Sequence, residues 1–580
     1  MNRTAQAPRR EKPDAPQQTR PRNWPAQLGL MAASVLLLSL ALAPVNQFYL
    51  AWIGLAPWML AVSLARSKKV AFAWGFAGAW AFFLANMWWL WSVSVPGMFA
   101  LTLYLAIFWG ACAIIIRAVL HRESRAILYP LSSILFIATA WTTFEWLRGN
   151  ISFLGKQGLP WLYLGQTQSP MLIMCQIADV TSVLGVTFWV AMVNALVVLL
   201  YLNRAHLRRT FPAVITVTAI LIAIGVYGAF RMSQQTQYPG PTVLVVQSNY
   251  KQSNTGEKGA PMREIVDFHV STTRAALQQL ASRGEQVDLV VWSETMMPPL
   301  NPSALEQARG SPQGELWQRA HDEIARIATE FHTALLVGGI MHDDWQVRGE
   351  YILPQDRRNT AYFFDPGGRL SDARYDKIHL VPFGEYIPFK ESIPPLYRLF
   401  INLGPNYYEE YALTRGSKLT VFELKRDGAA PQTDRFVAPI CFEDIVPSMV
   451  ARMLHEPGSG AARRADFLVN ITNDGWFRAA QMPQHLQAAL FRSIEHRVAT
   501  ARSVNTGISG FVDPLGRVSG IVPAETEGWS AQKLRLDRRV APYTRLGDAF
   551  PITCVAATAA VCVAGIVRNR RKSHRTETES

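Results

Sequence analysis

Three polar residues, each directly after a strand-like run, could together carry out acyl transfer. Glu294 ends Val-Asp-Leu-Val-Val-Trp-Ser-Glu, Lys377 lies in Arg-Tyr-Asp-Lys-Ile-His, and Cys441 ends Arg-Phe-Val-Ala-Pro-Ile-Cys. Of the five cysteines, Cys441 alone lies outside the long apolar segments, so its own domain offers it no disulfide partner. Taken singly, each residue has an ordinary explanation: a capping acid, a solvated lysine and a buried small thiol.

A thioester mechanism needs a nucleophile, a base and a group that stabilises negative charge. A thiol with an ordinary pKa of roughly 8.5 stays mostly protonated at neutral pH, so Cys441 needs a base, and Glu294 can accept its proton. Lys377 and the backbone N–H of Phe442 can stabilise the oxyanion of the tetrahedral intermediate. Glu294 would then protonate the leaving group and deprotonate the second nucleophile. The three residues therefore predict a Glu-Lys-Cys triad with a ping-pong mechanism.

The stretch that must position these residues, from 242 to about 540, alternates short apolar runs with amphipathic ones. Strands are predicted at 243–247, 289–292, 334–338, 360–364, 419–424, 435–440, 467–471 and 507–513. Helices are predicted at 261–283, 314–331, 445–455 and 482–501. Strands separated by helices predict an α/β fold, in which active sites follow the ends of strands.

The part of the chain before this stretch consists largely of apolar segments that are long enough to cross a bilayer. Seven spans are predicted at 24–45, 47–65, 71–92, 97–119, 126–147, 170–202 and 212–231, and an eighth at about 548–567. The sixth is longer than one span needs, so we expect part of it to tilt or to lie along the surface. The first segment has no clear cleavage site and is predicted to be an anchor.

The net charge of +14 is a matter of membrane topology, not of nucleic-acid binding. Five segments hold twenty Lys and Arg against five acidic residues: 1–23, 66–69, 117–125, 204–209 and 568–580. If every apolar segment crosses once, all five lie on one side of the membrane. The positive-inside rule then predicts cytoplasmic termini and a large domain on the opposite face, which in a bacterium is the periplasm or the cell exterior.

These patterns divide the chain into five predicted parts. They are a disordered basic cytoplasmic tail (1–23), a membrane domain with seven spans (24–231), a periplasmic catalytic domain (235–545), a C-terminal span (546–567) and a second basic cytoplasmic tail (568–580). A tail rich in Pro, Arg and Gln cannot bury enough apolar surface to fold.

Several motifs of the soluble stretch resemble those of the carbon–nitrogen hydrolase, or nitrilase, superfamily. They are Trp-Ser-Glu294-Thr, Asp-Lys377-Ile-His-Leu-Val-Pro-Phe-Gly-Glu385, Ile-Cys441-Phe-Glu443, the run 470–477 and the run 492–497. With several spans before this domain and one after it, residues 24–567 resemble the bacterial apolipoprotein N-acyltransferases. The resemblance implies an α-helical membrane bundle of about eight spans carrying a four-layer αββα nitrilase-like sandwich.

The resemblance also implies the reaction. Cys441 would take the sn-1 acyl chain of a phospholipid, typically phosphatidylethanolamine, and pass it to the α-amine of the diacylglyceryl-cysteine of an apolipoprotein in the bacterial inner membrane. No metal or soluble cofactor is implied. Two alternatives stay open: a membrane-anchored amidase that hands the thioester to water, and a transporter or receptor. Few charges lie in the predicted spans, chiefly Glu145 and Asp179, which disfavours a transport pathway.

Around the triad, the resemblance assigns Glu385 to holding the lysine and gives Glu443 a supporting role. For each of the two, the alternative is a salt bridge that only positions the fold. His379 and His485 could form hydrogen bonds near the site, although a structural role is expected. Phe442 stands where these acyltransferases often have Tyr, so any role for a hydroxyl at that position is lost.

Three further sequence features concern substrate contacts. The segment 390–411 is rich in aromatic and aliphatic residues and could enter the bilayer, close over an acyl chain or fold onto its own domain. The run 296–300, Met-Met-Pro-Pro-Leu, is expected to offer adaptable apolar surface. The early loop after Gln247 lacks the Trp that relatives can carry, and Tyr250 is a candidate to replace it.

Overall fold

The structure is a computed structural model of the 580-residue chain. It describes residues 23–121, 128–151, 158–252, 259–348, 351–382, 384–387, 389–390, 392–403, 412–426, 432–455, 463–477 and 479–578. Side chains at 348, 351–352, 402–403 and 569–578 are not among the described groups. Parts of three predicted regions lie outside the described residues. They are residues 1–22 of the N-terminal tail, residues 404–411 of the aromatic and aliphatic segment 390–411, and residues 579–580 of the second tail.

The first part of the chain is helical. Its α-helices are α1 Trp24–Ala41, α2 Ala51–Gly54, α3 Ala56–Ser63, α4 Lys68–Met87, α5 Val95–Leu120, α6 Tyr129–Asn150, α7 Leu172–Cys175, α8 Ala178–Thr181, α9 Val183–Leu202 and α10 Phe211–Ser233. Short 3-10 helices occur at Phe48–Leu50, Trp88–Ser92, Leu164–Gln168 and Arg204–Arg209.

Six helical stretches are long and apolar enough to cross a membrane: Trp24–Ala41, Lys68–Ser92, Val95–Leu120, Val183–Leu202, Phe211–Ser233 and Ala549–Arg568. Each coincides with one of the eight predicted spans. The predicted span 47–65 is instead divided among short helices, and 126–147 forms α6, which is long but less apolar. The overlong span 170–202 is broken into α7, α8 and α9, so only its last part is one continuous helix.

Small residues and tryptophans pack this helical region closely. At Gly75 of α4, a Cβ atom would lie 2.5 Å from the Cβ of Ala113 on α5, so only glycine permits this approach. Trp58, Trp109 and Trp141 meet with ring centroids 4.7–5.7 Å apart, and their edge-to-face geometry is the one that aromatic quadrupoles favour. This cluster joins α3, α5 and α6.

The second part of the chain contains twelve strands in two six-stranded sheets. The strands are β1 Gln237–Gln247, β2 Leu289–Met297, β3 Ala334–Arg348, β4 Tyr351–Phe364, β5 Tyr375–Asp376, β6 Phe422–Arg426, β7 Gln432–Val437, β8 Phe467–Thr472, β9 Ala499–Val504, β10 Ser509–Val512, β11 Val518–Val522 and β12 Gly528–Asp537. The sheet orders are β12-β1-β2-β3-β4-β5 and β11-β10-β9-β8-β7-β6. In each sheet, three central strands are parallel and the outer pairings are antiparallel.

Helices cover the sheets. They are α11 Met262–Ala281, α12 Pro302–Gln307, α13 Pro312–Phe331, α14 Pro394–Leu403, α15 Pro447–Leu454, α16 Gln481–His496, α17 Pro542–Leu546 and α18 Ala549–Thr578. The apolar faces of α11 and α13 share a core with β1 to β4, while α15 and α16 pack into the larger core that contains the second sheet. Between the sheets, β1 and β2 contact β9, and the hydroxyl of Ser503 donates to the backbone oxygens of Val246 and Val291.

Every predicted strand overlaps an observed one, but the two longest are underestimated, since β3 and β4 have 15 and 14 residues. The predicted helix 482–501 is wrong at its end. The helix stops at His496, Arg497 adopts a left-handed φ of 54°, and strand β9 begins two residues later. Four strands, β5, β9, β11 and β12, were not expected from the sequence.

Candidate functional site

Glu294, Lys377 and Cys441 lie together where the two sheets meet. Glu294 is in β2, Lys377 comes directly after β5, and Cys441 begins a 3-10 turn after β7. All three are buried, with exposed fractions of 4%, 1% and 6%. Cys441 has a φ of 55°, a left-handed conformation that is unfavourable for any residue except glycine and is common at active sites.

Lys377 lies between two carboxylates. Its Nζ donates to Oε1 of Glu294 at 3.1 Å and to Oε1 of Glu385 at 2.8 Å. Because the lysine side chain is only 1% exposed, solvent does not screen these ion pairs. The structure thus places Glu385 against Lys377, in the position where it can hold the lysine.

Two asparagines that the sequence analysis did not single out complete the surroundings of Glu294. The amide of Asn359 in β4 donates to Oε1 of Glu294 at 2.6 Å, and the backbone N–H of Asn473 donates to Oε2 at 2.8 Å. With Lys377, these donors fix both carboxylate oxygens. Asn473 lies in the Asn-Ile-Thr-Asn-Asp-Gly run already noted as a motif, whereas nothing in the sequence distinguishes Asn359.

Burial and neighbouring charges shift the pKa of each group in this cluster. Burial, followed by the carboxylate of Glu294, raises the pKa of the Cys441 thiol well above its ordinary value. Burial also raises the pKa of Glu294, which Lys377 opposes. Burial disfavours the charge on Lys377, but the anionic groups around it raise its pKa well above the ordinary value. A neutral thiol therefore stands beside a charged lysine and a carboxyl group with increased basicity, as general base catalysis requires.

Glu443 connects the lysine segment to the turn that carries the thiol. Its Oε1 accepts from the backbone N–H groups of Ile378 and His379, both at 2.8 Å, and from the Tyr375 hydroxyl at 2.9 Å. Its Oε2 accepts from the N–H of Ile440, also at 2.8 Å. Burial raises its pKa to about 7, against the effect of these donors. Through these bonds, Glu443 fixes the relative positions of Lys377 and the thiol-bearing turn.

A second buried polar group, formed by Asp444, His485, Asp474 and Arg502, lies next to this turn. The ring of His485 faces Oδ1 of Asp444 at 2.9 Å through Nε2 and Oδ1 of Asp474 at 3.0 Å through Nδ1. The ring donates to both carboxylates when it is an imidazolium; in the neutral form, Nδ1 can accept from Nε2 of Gln481, 3.3 Å away. Burial and Arg502 oppose this charge, but the two carboxylates raise the pKa of His485. Among the described residues, no group of three or more His, Cys, Asp and Glu side chains is arranged to hold a metal ion.

Aromatic rings connect this region to the helical part of the chain. Phe442 stacks on His485 with centroids 5.2 Å apart and an interplanar angle of 14°. Trp161, from the segment after α6, lies 5.4 Å from the Phe442 ring, and Trp89 lies 5.1 Å from Phe477. Residues of the predicted membrane domain therefore contact Phe442, the residue next to the thiol, and Phe477.

One substrate-contact prediction is wrong. Met296, Met297 and Leu300 are fully buried in the core beside β2, so the run 296–300 offers no adaptable surface. The ring of Tyr250 packs edge-on against Phe268.

The segment from 390 is described only in part. Residues Pro394–Leu403 form α14, and the exposed fraction of Leu399 on this helix is 52%. An exposed apolar side chain on this helix is compatible with contact with lipid.

Comparison with known proteins finds a matching family for each of the two parts of the chain. The apolipoprotein N-acyltransferase N-terminal domain matches residues 34–196, and the carbon–nitrogen hydrolase family matches residues 248–541. An apolipoprotein N-acyltransferase of Geobacter metallireducens is 30% identical over 541 residues, which cover 90% of this chain and 92% of the relative. Another of Chlorobaculum tepidum is 28% identical over 540 residues, with the same coverage.

Among solved structures, an amidase of the nitrilase superfamily from Nesterenkonia AN1 is 17% identical, with a TM-score of 0.34. The match covers 55% of this chain and 96% of the amidase. A carbon–nitrogen hydrolase superfamily protein from Xanthomonas campestris is 18% identical, with a TM-score of 0.32 over 54% of this chain and 96% of that protein.

Proposed function

The chain belongs to the apolipoprotein N-acyltransferase family, and on that premise we propose that it moves the sn-1 acyl chain of a phospholipid to the N-terminal amine of diacylated apolipoproteins. The family and the six apolar helices make it a bacterial membrane enzyme of lipoprotein maturation. The observation that supports the detailed reaction best is the contact of Lys377 with Glu294 beside the buried thiol of Cys441.

In the first half-reaction, Sγ of Cys441 attacks the sn-1 ester carbonyl while Glu294 takes the thiol proton. Lys377 and the N–H of Phe442 stabilise the oxyanion. The ester C–O bond then breaks, Glu294 protonates the departing glycerol oxygen, and a lysophospholipid leaves. The products are one thioester on Cys441 and one alcohol.

In the second half-reaction, the α-amine of the diacylglyceryl-cysteine attacks the thioester. Glu294 accepts a proton from the amine and returns it to the thiolate as the C–S bond breaks. The amide product leaves, and Cys441 and Glu294 regain their starting states. Because the first product leaves before the second substrate reacts, the kinetics are ping-pong.

The proposal includes a membrane arrangement. It has eight spans in a bundle, cytoplasmic termini, and an αββα sandwich on the periplasmic side of the inner membrane, with the catalytic domain at 235–545. The aromatic contacts of Trp161 and Trp89 support a site that opens towards the bilayer. A membrane-anchored amidase would need only an anchor, and no ring of the membrane domain would have to contact Phe442 beside the thiol.

The test is a two-substrate assay on the full-length protein in detergent or vesicles. Phosphatidylethanolamine alone should leave an acyl adduct on Cys441 that hydroxylamine removes, visible by mass spectrometry. Addition of a diacylated lipopeptide should give a triacylated product and discharge the adduct. Release of free fatty acid without any triacylated lipopeptide would establish the amidase-type alternative and overturn the proposal.

A further inference from the structure

Arg415 is a cation near the cluster of Glu294, Lys377, Glu385 and Cys441, which we call the site cluster. The acyl-transfer steps give Arg415 no role. Within the described ranges, no carboxylate lies at salt-bridge distance from its guanidinium, which lies over the ring of Tyr386 at 5.4 Å from the centroid. Its Nη2 is 3.5 Å from the Tyr386 hydroxyl, a long contact that leaves most of its donors available. The side chain is half-buried, and a guanidinium in this state is well suited to an anionic ligand.

The backbone on both sides of Arg415 is hydrogen-bonded to the backbones of Glu385 and Lys377. The N–H of Leu413 donates to the backbone oxygen of Glu385 at 2.8 Å, and the N–H of Gly416 donates to that of Lys377 at 2.9 Å. A Cβ at Gly416 would lie 2.0 Å from the backbone oxygen of Asp376, so the approach is close. Arg415 is thereby held between the backbones of Glu385 and Lys377.

His379 provides a second, independent observation at the same place. It is only 8% exposed, and its Nδ1 is buried with no hydrogen-bond partner among the described residues. Burial, then Lys377 and Arg415, lower the pKa of His379 to about 3, so the ring is neutral and has one N–H to donate. A buried polar atom without a partner costs free energy that an incoming acceptor would recover.

We propose that Arg415 and His379 bind the phosphodiester group of the acyl donor, an inference that rests on the function proposed above. A phospholipid carries one phosphodiester on the same glycerol unit as its sn-1 ester, so the anion must come to rest near the thiol. Lys377 is already paired with Glu294 and Glu385 and is assigned to the oxyanion, so the phosphodiester needs a second cation. Arg415 supplies the missing charge in the planar fork that suits phosphate oxygens.

The experiment compares two acyl donors on the full-length protein, one with a phosphodiester and one without. The donors are phosphatidylethanolamine and a long-chain p-nitrophenyl ester, and the measurement is the rate of thioester formation on Cys441. Arg415→Gln should reduce the ratio of the phospholipid rate to the nitrophenyl ester rate by roughly ten- to hundredfold, the effect of losing a charged hydrogen bond. Arg415→Lys should recover part of that ratio, and His379→Leu should reduce it less than Arg415→Gln does. The matched control is Arg369→Gln, on an arginine whose side chain is 81% exposed, and it should leave the ratio unchanged.

Phosphatidylglycerol, which shares the phosphodiester but not the amine, should depend on Arg415 to the same extent. A dependence seen only with phosphatidylethanolamine would overturn the assignment, as would an equal loss with the phospholipid and the nitrophenyl ester. Inorganic phosphate tests whether Arg415 binds a free anion instead of the lipid. If phosphate slows thioester formation by the native protein while Arg415→Gln leaves the ratio of phospholipid to nitrophenyl ester rates unchanged, the lipid phosphodiester is not the ligand of Arg415. No thioester with either donor in the native protein would refute the proposed function itself, which separates the two failures.

Discussion

Two of the buried charge clusters among the described residues each hold one ion between two ions of opposite charge, yet they differ in chemistry. In the site cluster, Lys377 lies between Glu294 and Glu385 beside Cys441. In what we call the junction cluster, Asp179 of α8 lies between two arginines, with Oδ2 2.5 Å from Arg231 of α10 and 2.7 Å from Arg497 after α16. The junction cluster joins the helical region to the second sheet, and it contains no thiol.

The difference lies in which protons can move. A guanidinium keeps its proton under all ordinary conditions, so an Asp–Arg cluster can hold elements together but cannot exchange protons with a substrate. In the site cluster, burial raises the pKa of both Glu294 and Cys441, so a change in their surroundings can alter where each group holds its proton. Asp179, one of the few charges in the predicted spans, is therefore part of a structural joint and gives no support to a transport pathway.

Replacement of Cys441 tests the site cluster most directly. Cys441→Ala removes the acyl carrier, so we expect complete loss of acyl transfer and of the hydroxylamine-sensitive adduct. Cys441→Ser should also be inactive, because an alkoxide is far harder to form than a thiolate. The thermal unfolding midpoint should stay close to that of the native protein, since the junction cluster is untouched. Cys562→Ala, on a half-buried thiol of α18, is the matched control and should remain fully active; substantial acyl transfer by Cys441→Ala would refute the assigned nucleophile.

The next largest effect is expected at the base. Glu294→Gln keeps the shape of the side chain and its bonds to Asn359 and Asn473 in part, but an amide cannot accept the thiol proton. The rate of thioester formation should fall by roughly a hundred- to ten-thousandfold, the usual contribution of a general base. Glu306→Gln, on an exposed acid of α12, should have no effect. A Glu294→Gln enzyme with more than about a tenth of native activity would assign the base elsewhere.

The junction cluster should respond in the opposite way, through stability. Asp179→Asn leaves Arg231 and Arg497 without their counter-charge, and breaking a buried ion pair costs about 3–5 kcal/mol. We therefore expect a lower free energy of unfolding in detergent, measured by denaturant titration. The acyl-transfer rate of Asp179→Asn, divided by the amount of protein that can form a thioester, should stay within about a factor of two of the native rate. The reason is that substitutions at distant sites act independently. If Asp179→Asn lost acyl transfer while its free energy of unfolding stayed at the native value, the proposed distinction between the two clusters would be wrong.

The sequence predicted the residues of the site better than their surroundings. Glu294, Lys377 and Cys441 could be found because each follows a strand-like run, and the eight predicted strands overlap the observed ones. Trp161 and Asn359 could not be assigned to the site, since they reach it through tertiary contacts between elements far apart in the chain. The expectation that the run 296–300 offers adaptable apolar surface is wrong because composition cannot tell a buried core from an exposed apolar surface. The end of α16 was missed because the left-handed Arg497, which stops the helix, is not a glycine.

The smallest effect is expected in the cluster of Asp444, His485, Asp474 and Arg502. This cluster stabilises the fold as the junction cluster does, but it contains a histidine ring that can titrate. His485→Gln can donate to only one of the two carboxylates, and we expect a loss of about 1–3 kcal/mol in the free energy of unfolding. The carboxylates raise the pKa of His485 above its unfolded value of about 6.5.

The sign of the pH dependence follows from this shift. The stabilisation by His485 is fully present below the unfolded pKa and is lost as the pH rises through the higher folded pKa. The difference in unfolding free energy between native protein and His485→Gln should therefore shrink at alkaline pH, as measured by denaturant titration across the pH range. A difference that instead grew with pH would mean that the ring is neutral in the folded protein and donates to only one of Asp444 and Asp474. Such a result would leave Asp474 and Arg502 as the fixed charges next to the thiol-bearing turn.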